Sequence, residues 1–165
     1  MPTCSATLHL LCGKIASGKS TLAQKLSAQE NTVMISEDEW LDALFADQLD
    51  TIDDYMRCAS KLRDIFAPHI IALLDAGMSV VLDFQANTVE SRAWMRGILK
   101  QTNASHRMHV LAAPDVLCLA RLERRNARGN HAFSVSETQF RVLSKHFSPP
   151  TEDEGFCIVT HVQGE

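Results

Sequence analysis

The 165-residue sequence contains no CxxC pair, and its five cysteines (Cys4, Cys12, Cys58, Cys118 and Cys157) are odd in number and widely spaced. That pattern argues against a disulfide framework and a zinc site, and for reduced thiols in a cytosol-like compartment. No apolar run approaches the roughly 20 residues that a membrane-spanning helix needs, and the opening Met1 to Ser5 lacks the basic flank of a secretory signal. The expectation is a cytoplasmic chain that does not engage a membrane. Positive charge is not in excess either: 16 Lys and Arg against 20 Asp and Glu leave a net charge of −4. Nothing global therefore favours nucleic acid or an anionic lipid surface. His69, His106, His109 and His161 show no metal-ligand spacing. No internal repeat or low-complexity linker interrupts the chain, so one domain spanning 1–165 is the simplest organisation.

What is present is an alternation of short apolar runs with amphipathic stretches. Thr7 to Cys12 reads as a strand, followed by a loop over Gly13 to Ser20 and a helix whose Leu22, Ala23 and Leu26 share a face. Thr32 to Ile35 is β-branched and apolar and suggests a second strand ending at Ser36. Glu37 to Leu49 has helical spacing of Trp40, Leu41, Leu44 and Phe45, and Asp53 to Ala76 is a longer helical stretch in which Pro68 predicts a kink or two helices. Gly77 is placed to cap it. Met78 to Phe84 is the clearest buried strand, with helical spacing in Val89 to Leu99 after it. A fourth strand at His109 to Ala112, beginning near Arg107, helices at Asp115 to Asn126 and Val135 to Phe147, and a fifth strand at Phe156 to Val162 complete the series. Strands separated by helices of ten or more residues require crossover connections, so the expected fold is α/β with a five-stranded, doubly wound parallel sheet.

Gly13-Lys14-Ile15-Ala16-Ser17-Gly18-Lys19-Ser20 matches G-x-x-x-x-G-K-[ST] between a predicted strand and a predicted helix. Gly13 and Gly18 permit a tight turn with inward amides, and the helix N-terminus adds partial positive charge. Lys19 can reach the outer phosphates of a nucleotide, and Ser20 offers a hydroxyl to Mg²⁺. Gly13, Ala16, Ser17, Gly18, Lys19, Ser20 and Thr21 are the expected nucleotide-binding residues, with ATP or GTP as ligand.

Four segments carry a resemblance: GKIASGKS from Gly13, ISED at Ile35 to Asp38, VVLDF at Val80 to Phe84 with Arg92 downstream, and LERRNARG at Leu122 to Gly129 followed by FSPPTEDEGF ending at Phe156. In this order the chain resembles the P-loop small-molecule kinases, the cluster that includes 5′-hydroxyl polynucleotide kinases, chloramphenicol phosphotransferase and zeta-toxin-like kinases. The resemblance implies a P-loop NTPase fold, ATP and Mg²⁺, and transfer of a phosphoryl group to a hydroxyl. It implies that Asp38, just after the second strand, faces that hydroxyl as base. The alternative is that Glu37, Asp38 and Glu39 only decorate a helix N-terminus, where acids are favourable. Asp83, ending a strand at the edge where open α/β sheets bind ligands, is implied to hold a water on Mg²⁺ beside Ser20 or to help position the acceptor. It could equally cap a helix or pair with Arg92. Arg121, Arg124, Arg125 and Arg128 crowd one stretch, and the resemblance implies a lid over about 124–135 in which Arg125 and Arg128 meet the phosphates. The alternative is a solvated helix face, for Arg121 and Arg124 in particular, partly offset by Glu123, and for the whole cluster as well; His131 falls beside the lid.

Between Glu37 and Asp54 there are eight acids and neither Lys nor Arg. A phosphorylated acceptor needs arginines, so a neutral or cationic hydroxyl compound fits this segment, with Trp40, Phe45 or Tyr55 available to a cation. A solvated acidic face is the competing reading. The function expected from the sequence is an ATP-dependent phosphotransferase acting on a small hydroxyl acceptor. A nucleotide-binding regulator or NTPase and a nucleic-acid 5′-hydroxyl kinase are the alternatives, the last disfavoured by charge. The acceptor's identity and the oligomeric state are not legible.

Overall fold

The computed structural model describes residues 5–129 and 134–163. Their five strands, β1 (Thr7–Cys12), β2 (Thr32–Ser36), β3 (Ser79–Gln85), β4 (Ser105–Ala112) and β5 (Ile158–Val162), form one sheet in the order β2-β3-β1-β4-β5. Every pairing is parallel, as connections through helices require. Helix α1 (Lys19–Ser27) joins β1 to β2, α2 (Glu37–Phe45) and α3 (Ile52–Asp75) join β2 to β3, α4 (Val89–Leu99) joins β3 to β4, and α5 (Asp115–Arg128) and α6 (Glu137–Lys145) precede β5. The chain leaves β1 toward one side of the sheet and returns to β4 on the other. The C-terminal end of β1 is therefore the switch point at which open sheets leave a crevice.

Alternation along the strands separates two faces. Leu8, Leu10 and Cys12 of β1 join Val80, Leu82 and Phe84 of β3 in one core with Leu62, Phe66, Ile70 and Leu74 of α3 and Met95 and Ile98 of α4. Leu11 and Val81 point the other way, against Ala23 of α1. The doubly wound expectation is borne out. Fully burying a side chain such as Leu or Phe contributes about 1.5–3 kcal/mol, and the helical spacing of the α3 residues is what delivers four of them to one face.

Several element boundaries differ from expectation. Pro68 lies inside α3 without dividing it; it is exposed, and the flanking Phe66 and Ile70 hold both halves of the helix to the core. Asp64 loses only the backbone donor that proline lacks. A capping box between Thr51 and Asp54 starts α3. At its other end Gly77, at φ 85°, closes a Schellman turn in which its N–H bonds the Leu74 carbonyl and the Met78 N–H bonds that of Leu73. The helix after β2 stops at Phe45 and continues as a 3₁₀ turn over Ala46–Gln48. Strand β4 begins at Ser105, earlier than its apolar run, because pairing with β1 from Thr7 onward fixes its length.

Two features of the sheet bear on the site. The β1–β3 register breaks between Leu10, opposite Leu82, and Leu11, opposite Gln85. The bulge re-aims the residues that follow on β3. On the other side of β1, three imidazoles form a row across the strands: His9 Nδ1 lies 3.0 Å from His109 Nε2, and His109 Nδ1 lies 2.9 Å from His161 Nε2.

Candidate active site

Strand β1 ends at Cys12, and the loop that follows turns into α1 over Gly13–Gly18. Gly18 adopts φ 102°, a conformation that a side chain disfavours. A Cβ on Gly13 would fall 2.5 Å from Ser17 Oγ, so the close turn requires glycine there. Ala16 sits at φ 59°, a left-handed conformation unusual for a residue with a side chain. Ser17 is buried, and its hydroxyl has no hydrogen-bond partner. Such an unsatisfied buried donor is costly.

Lys19 folds back into the loop, donating to the Gly13 carbonyl at 2.6 Å and the Lys14 carbonyl at 2.7 Å. Burial pushes its ammonium down to about 8, against the opposing pull of Asp83, Cys12, Cys118 and Asp38. Ser20 donates to Asp83 Oδ2 at 3.0 Å. Asp83 thus meets the loop; its alternative partner Arg92 is engaged elsewhere, in a bidentate pair with Glu154 at 2.6 and 3.0 Å. Surrounding protein raises the Asp83 carboxyl, while the Ser20 hydrogen bond and Lys19 lower it.

Asp38 belongs to the first turn of α2, whose N-cap is Ser36 at the end of β2, and Ser36 stands opposite Asp83 in the sheet. The turn therefore brings Asp38 to the same sheet edge. Its carboxylate is open to solvent through the cavity mouth, yet walls of protein, with Glu37 and Asp83, push its pKa up; Lys19 and Arg125 oppose them. Lys19, Ser20, Thr21, Asp38, Asp83 and Arg125 line one cavity of about 790 Å³.

The arginines divide differently from the sequence reading. Arg121 is not on a solvated face: it donates to the Ser17 carbonyl and to Gln163 Oε1, each at 3.3 Å. Arg124 and Arg128 are exposed along the cavity rim. Arg125 is half-buried with its Nε lacking a partner. The expected lid is described only up to Gly129 and from Ser134 onward; His131 and its neighbours at 130–133 lie outside the described residues.

The acidic run is split. Glu37 and Asp38 reach the cavity, whereas Asp42, Asp47, Asp50 and Asp53 are exposed and Asp54 is used in the α3 cap. Glu37 is buried and paired with Arg63 at 3.0 Å. Trp40 meets Phe66 edge-on, and Trp94 carries the Arg63 guanidinium at 5.5 Å.

Sequence reasoning missed His161 of β5 and Gln163 just beyond it, which line the cavity, and Asn87, whose side chain bonds both backbone groups of Gly13. No local pattern marks them, since only the packing of distant strand ends brings them to the loop. Among the described residues no group of three or more His, Cys, Asp or Glu could hold a metal ion. Ser20 with Asp83 is the donor pair that suits one, given phosphate and water oxygens as further ligands. No helix among the described residues is long and apolar enough to cross a membrane.

A family model described as AAA domain matches residues 8–150. The chain belongs to the AAA domain family. The match runs from β1 past the phosphate loop, Asp38, Asp83 and the arginines of α5. No curated protein matches this AAA domain chain. Among solved structures it is similar to a Chloroflexus aurantiacus J-10-fl protein assigned to the kinases, at 18% identity, over 96% of this chain and 85% of that one, with a TM-score of 0.76. A sugar kinase from Janibacter sp. HTCC2649 matches at 16% identity over 95% and 85% of the two chains, TM-score 0.64. Kti12 of Chaetomium thermophilum, in complex with ADP-AlF3, matches at 13% identity over 93% and 88%, TM-score 0.67. The fold of this AAA domain chain is thus that of P-loop kinases.

Proposed function

We propose that this protein transfers the γ-phosphoryl group of ATP to a hydroxyl of a small, neutral or cationic acceptor. The observation that carries the proposal is the convergence of Lys19, Asp38, Asp83 and Arg125 on one cavity at the switch point of the sheet. Lys19 and the loop amides, with the free Ser17 hydroxyl, bind and orient the triphosphate. The unpartnered Arg125 Nε, with Arg128 at the rim, meets charge on the phosphates. Ser20 and Asp83 would hold Mg²⁺, which when bound supplies positive charge to the phosphate oxygens. Asp38 orients the acceptor hydroxyl and takes its proton, and a carboxyl held above the ordinary range is the stronger base.

The cavity's cations come from α1 and α5, whereas its acids, Glu37, Asp38 and Asp83, come from α2 and β3. Arg63, the α3 arginine beside these acids, is committed to Glu37. An acceptor carrying its own phosphate would meet carboxylates, which favours a neutral or cationic compound over a nucleotide or nucleic-acid end. The sugar kinase neighbour and the ADP-AlF3 held by Kti12 support the two halves of the reading, hydroxyl acceptor and nucleotide.

The test is ATP consumption against a panel of amino sugars, aminoglycosides, polyols, nucleosides and a 5′-hydroxyl oligonucleotide, followed by Asp38→Asn on the best acceptor. Removing a general base costs about 10²–10⁴-fold, so transfer should fall by that factor while ATP affinity holds. Transfer at the parental rate removes Asp38 from its role, and ATP turnover indifferent to every acceptor supports an NTPase or regulator instead.

A further inference from the structure

Asn87 lies between β3 and α4, one residue before the Thr88 N-cap, and belongs to neither element. The β1–β3 bulge sets Gln85 opposite Leu11, and the Ala86 N–H then bonds the Leu11 carbonyl at 3.0 Å. The backbone of β3 departs at that point. The Asn87 carboxamide takes over: Nδ2 donates to the Gly13 carbonyl at 2.8 Å, and Oδ1 accepts from the Gly13 N–H at 2.9 Å. A side-chain amide presents the same donor and acceptor as a peptide group, so it extends the ladder by one rung onto the first glycine of the phosphate loop.

The Gly13 carbonyl so fixed is one of the two that grip the Lys19 ammonium. Asn87 is itself anchored, its carbonyl accepting from the Ser148 N–H at 2.8 Å. Behind it the buried Arg92 ties the Ala86 and Ser148 carbonyls together at 2.9 and 2.6 Å. The line of contact runs from a rigid support through Asn87 and the Gly13 peptide to the lysine.

We infer that Asn87 is a positioning residue: by holding the Gly13 carbonyl it aims the Lys19 ammonium at the nucleotide phosphates. This rests on the reading of the loop as an ATP site. Asn87→Leu removes both hydrogen bonds and frees the Gly13 carbonyl to turn away. Asn87→Ala removes the same two bonds with a smaller side chain and no added charge. Losing a buried hydrogen bond of this kind weakens binding roughly 5- to 100-fold.

A second readout separates aiming from scaffolding. Asn87 reaches the ammonium only through the Gly13 carbonyl that Lys19 grips. If it acts through Lys19, its loss should cost ATP affinity in the parent and little once Lys19 is already removed, whereas damage to the loop as a whole costs the same in both backgrounds.

The experiment is calorimetric ATP binding at about pH 7 by parent, Asn87→Leu, Asn87→Ala, Lys19→Ala and the two double variants, with circular dichroism to confirm folding. Both Asn87 variants should bind ATP roughly tenfold or more weakly with Lys19 present, and neither should weaken binding much further in the Lys19→Ala background. Parental affinity in a folded Asn87→Leu, or equal losses with and without Lys19, overturns the inference. If Asn87→Leu does not fold, Asn87→Ala is read in its place. A parent that binds no ATP would refute the ATP-site reading, an outcome distinct from equal binding by the parent and the Asn87 variants.

Discussion

Replacing Arg92 by Met tests how far the segment leading into β5 is held by one side chain. Arg92 is 1% exposed and donates four hydrogen bonds, two to Glu154 and one each to the Ala86 and Ser148 carbonyls. Hydrogen bonds involving a charged group contribute about 1.5–3 kcal/mol each, but bringing a guanidinium out of water costs several kcal/mol. Removing one partner of a buried pair leaves the other uncompensated, for a net loss of about 3–5 kcal/mol. Glu154, with its side chain 20% exposed, recovers part of its hydration, which places Arg92→Met at the lower end. Glu154→Gln strands a cation that is far less accessible and should cost more. Urea unfolding of parent, both single variants and the double variant gives the coupling energy directly. Hydrogen bonds from Arg92 hold the Glu154 carboxyl below the ordinary range. The pair's contribution is therefore complete above the unfolded value near 4.5 and is lost as pH falls through the lower folded value. A loss below about 1 kcal/mol for Arg92→Met, within the range of an ordinary surface pair, would refute the reasoning.

Two other outcomes follow from the geometry. Burial first, then His9, His161 and Arg107, push His109 from 6.5 down to about 4; below 6.5 the unfolded chain binds this proton first, so stability complete above 6.5 declines as pH falls toward 4. The loss across that window is on the order of 3 kcal/mol, read from urea midpoints at pH 7.5 and 4.5, and a parental slope in His109→Gln would contradict it. Ser20→Ala should raise the Mg²⁺ concentration needed for half-maximal ATP use roughly tenfold or more, because Asp83 loses the hydroxyl that orients it. An unchanged Mg²⁺ requirement would remove Ser20 from the metal site.

The phosphate loop and the alternation of strands and helices were legible because both are local: a loop of eight residues carries its own turn chemistry, and β3 announces itself by composition. Asp38 was legible only through resemblance, since its company with Lys19 and Asp83 depends on β2 lying beside β3. Charge clusters were the least faithful guide. The acids from Glu37 to Asp54 divide between cavity, helix cap and open surface, and Arg121, taken for a solvated face, grips the loop. Asn87 was invisible for a further reason. Its role exists because a bulge shifts the register by two residues, and no spacing in the sequence encodes a bulge.

The row of three histidines has a consequence in the counting of protons. A neutral imidazole carries a single N–H, and both ring nitrogens of His109 face a neighbour. His109 must therefore give one hydrogen bond and receive the other, so both bonds point the same way along the row. Only two neutral arrangements exist. Either His9 and His109 are Nδ1–H tautomers and His161 is left to offer its own proton outward from Nδ1, or His161 and His109 are Nε2–H tautomers and His9 retains its proton on Nε2. The tautomer of a residue in the cavity wall and that of a residue on the central strand are one variable, and they reverse together.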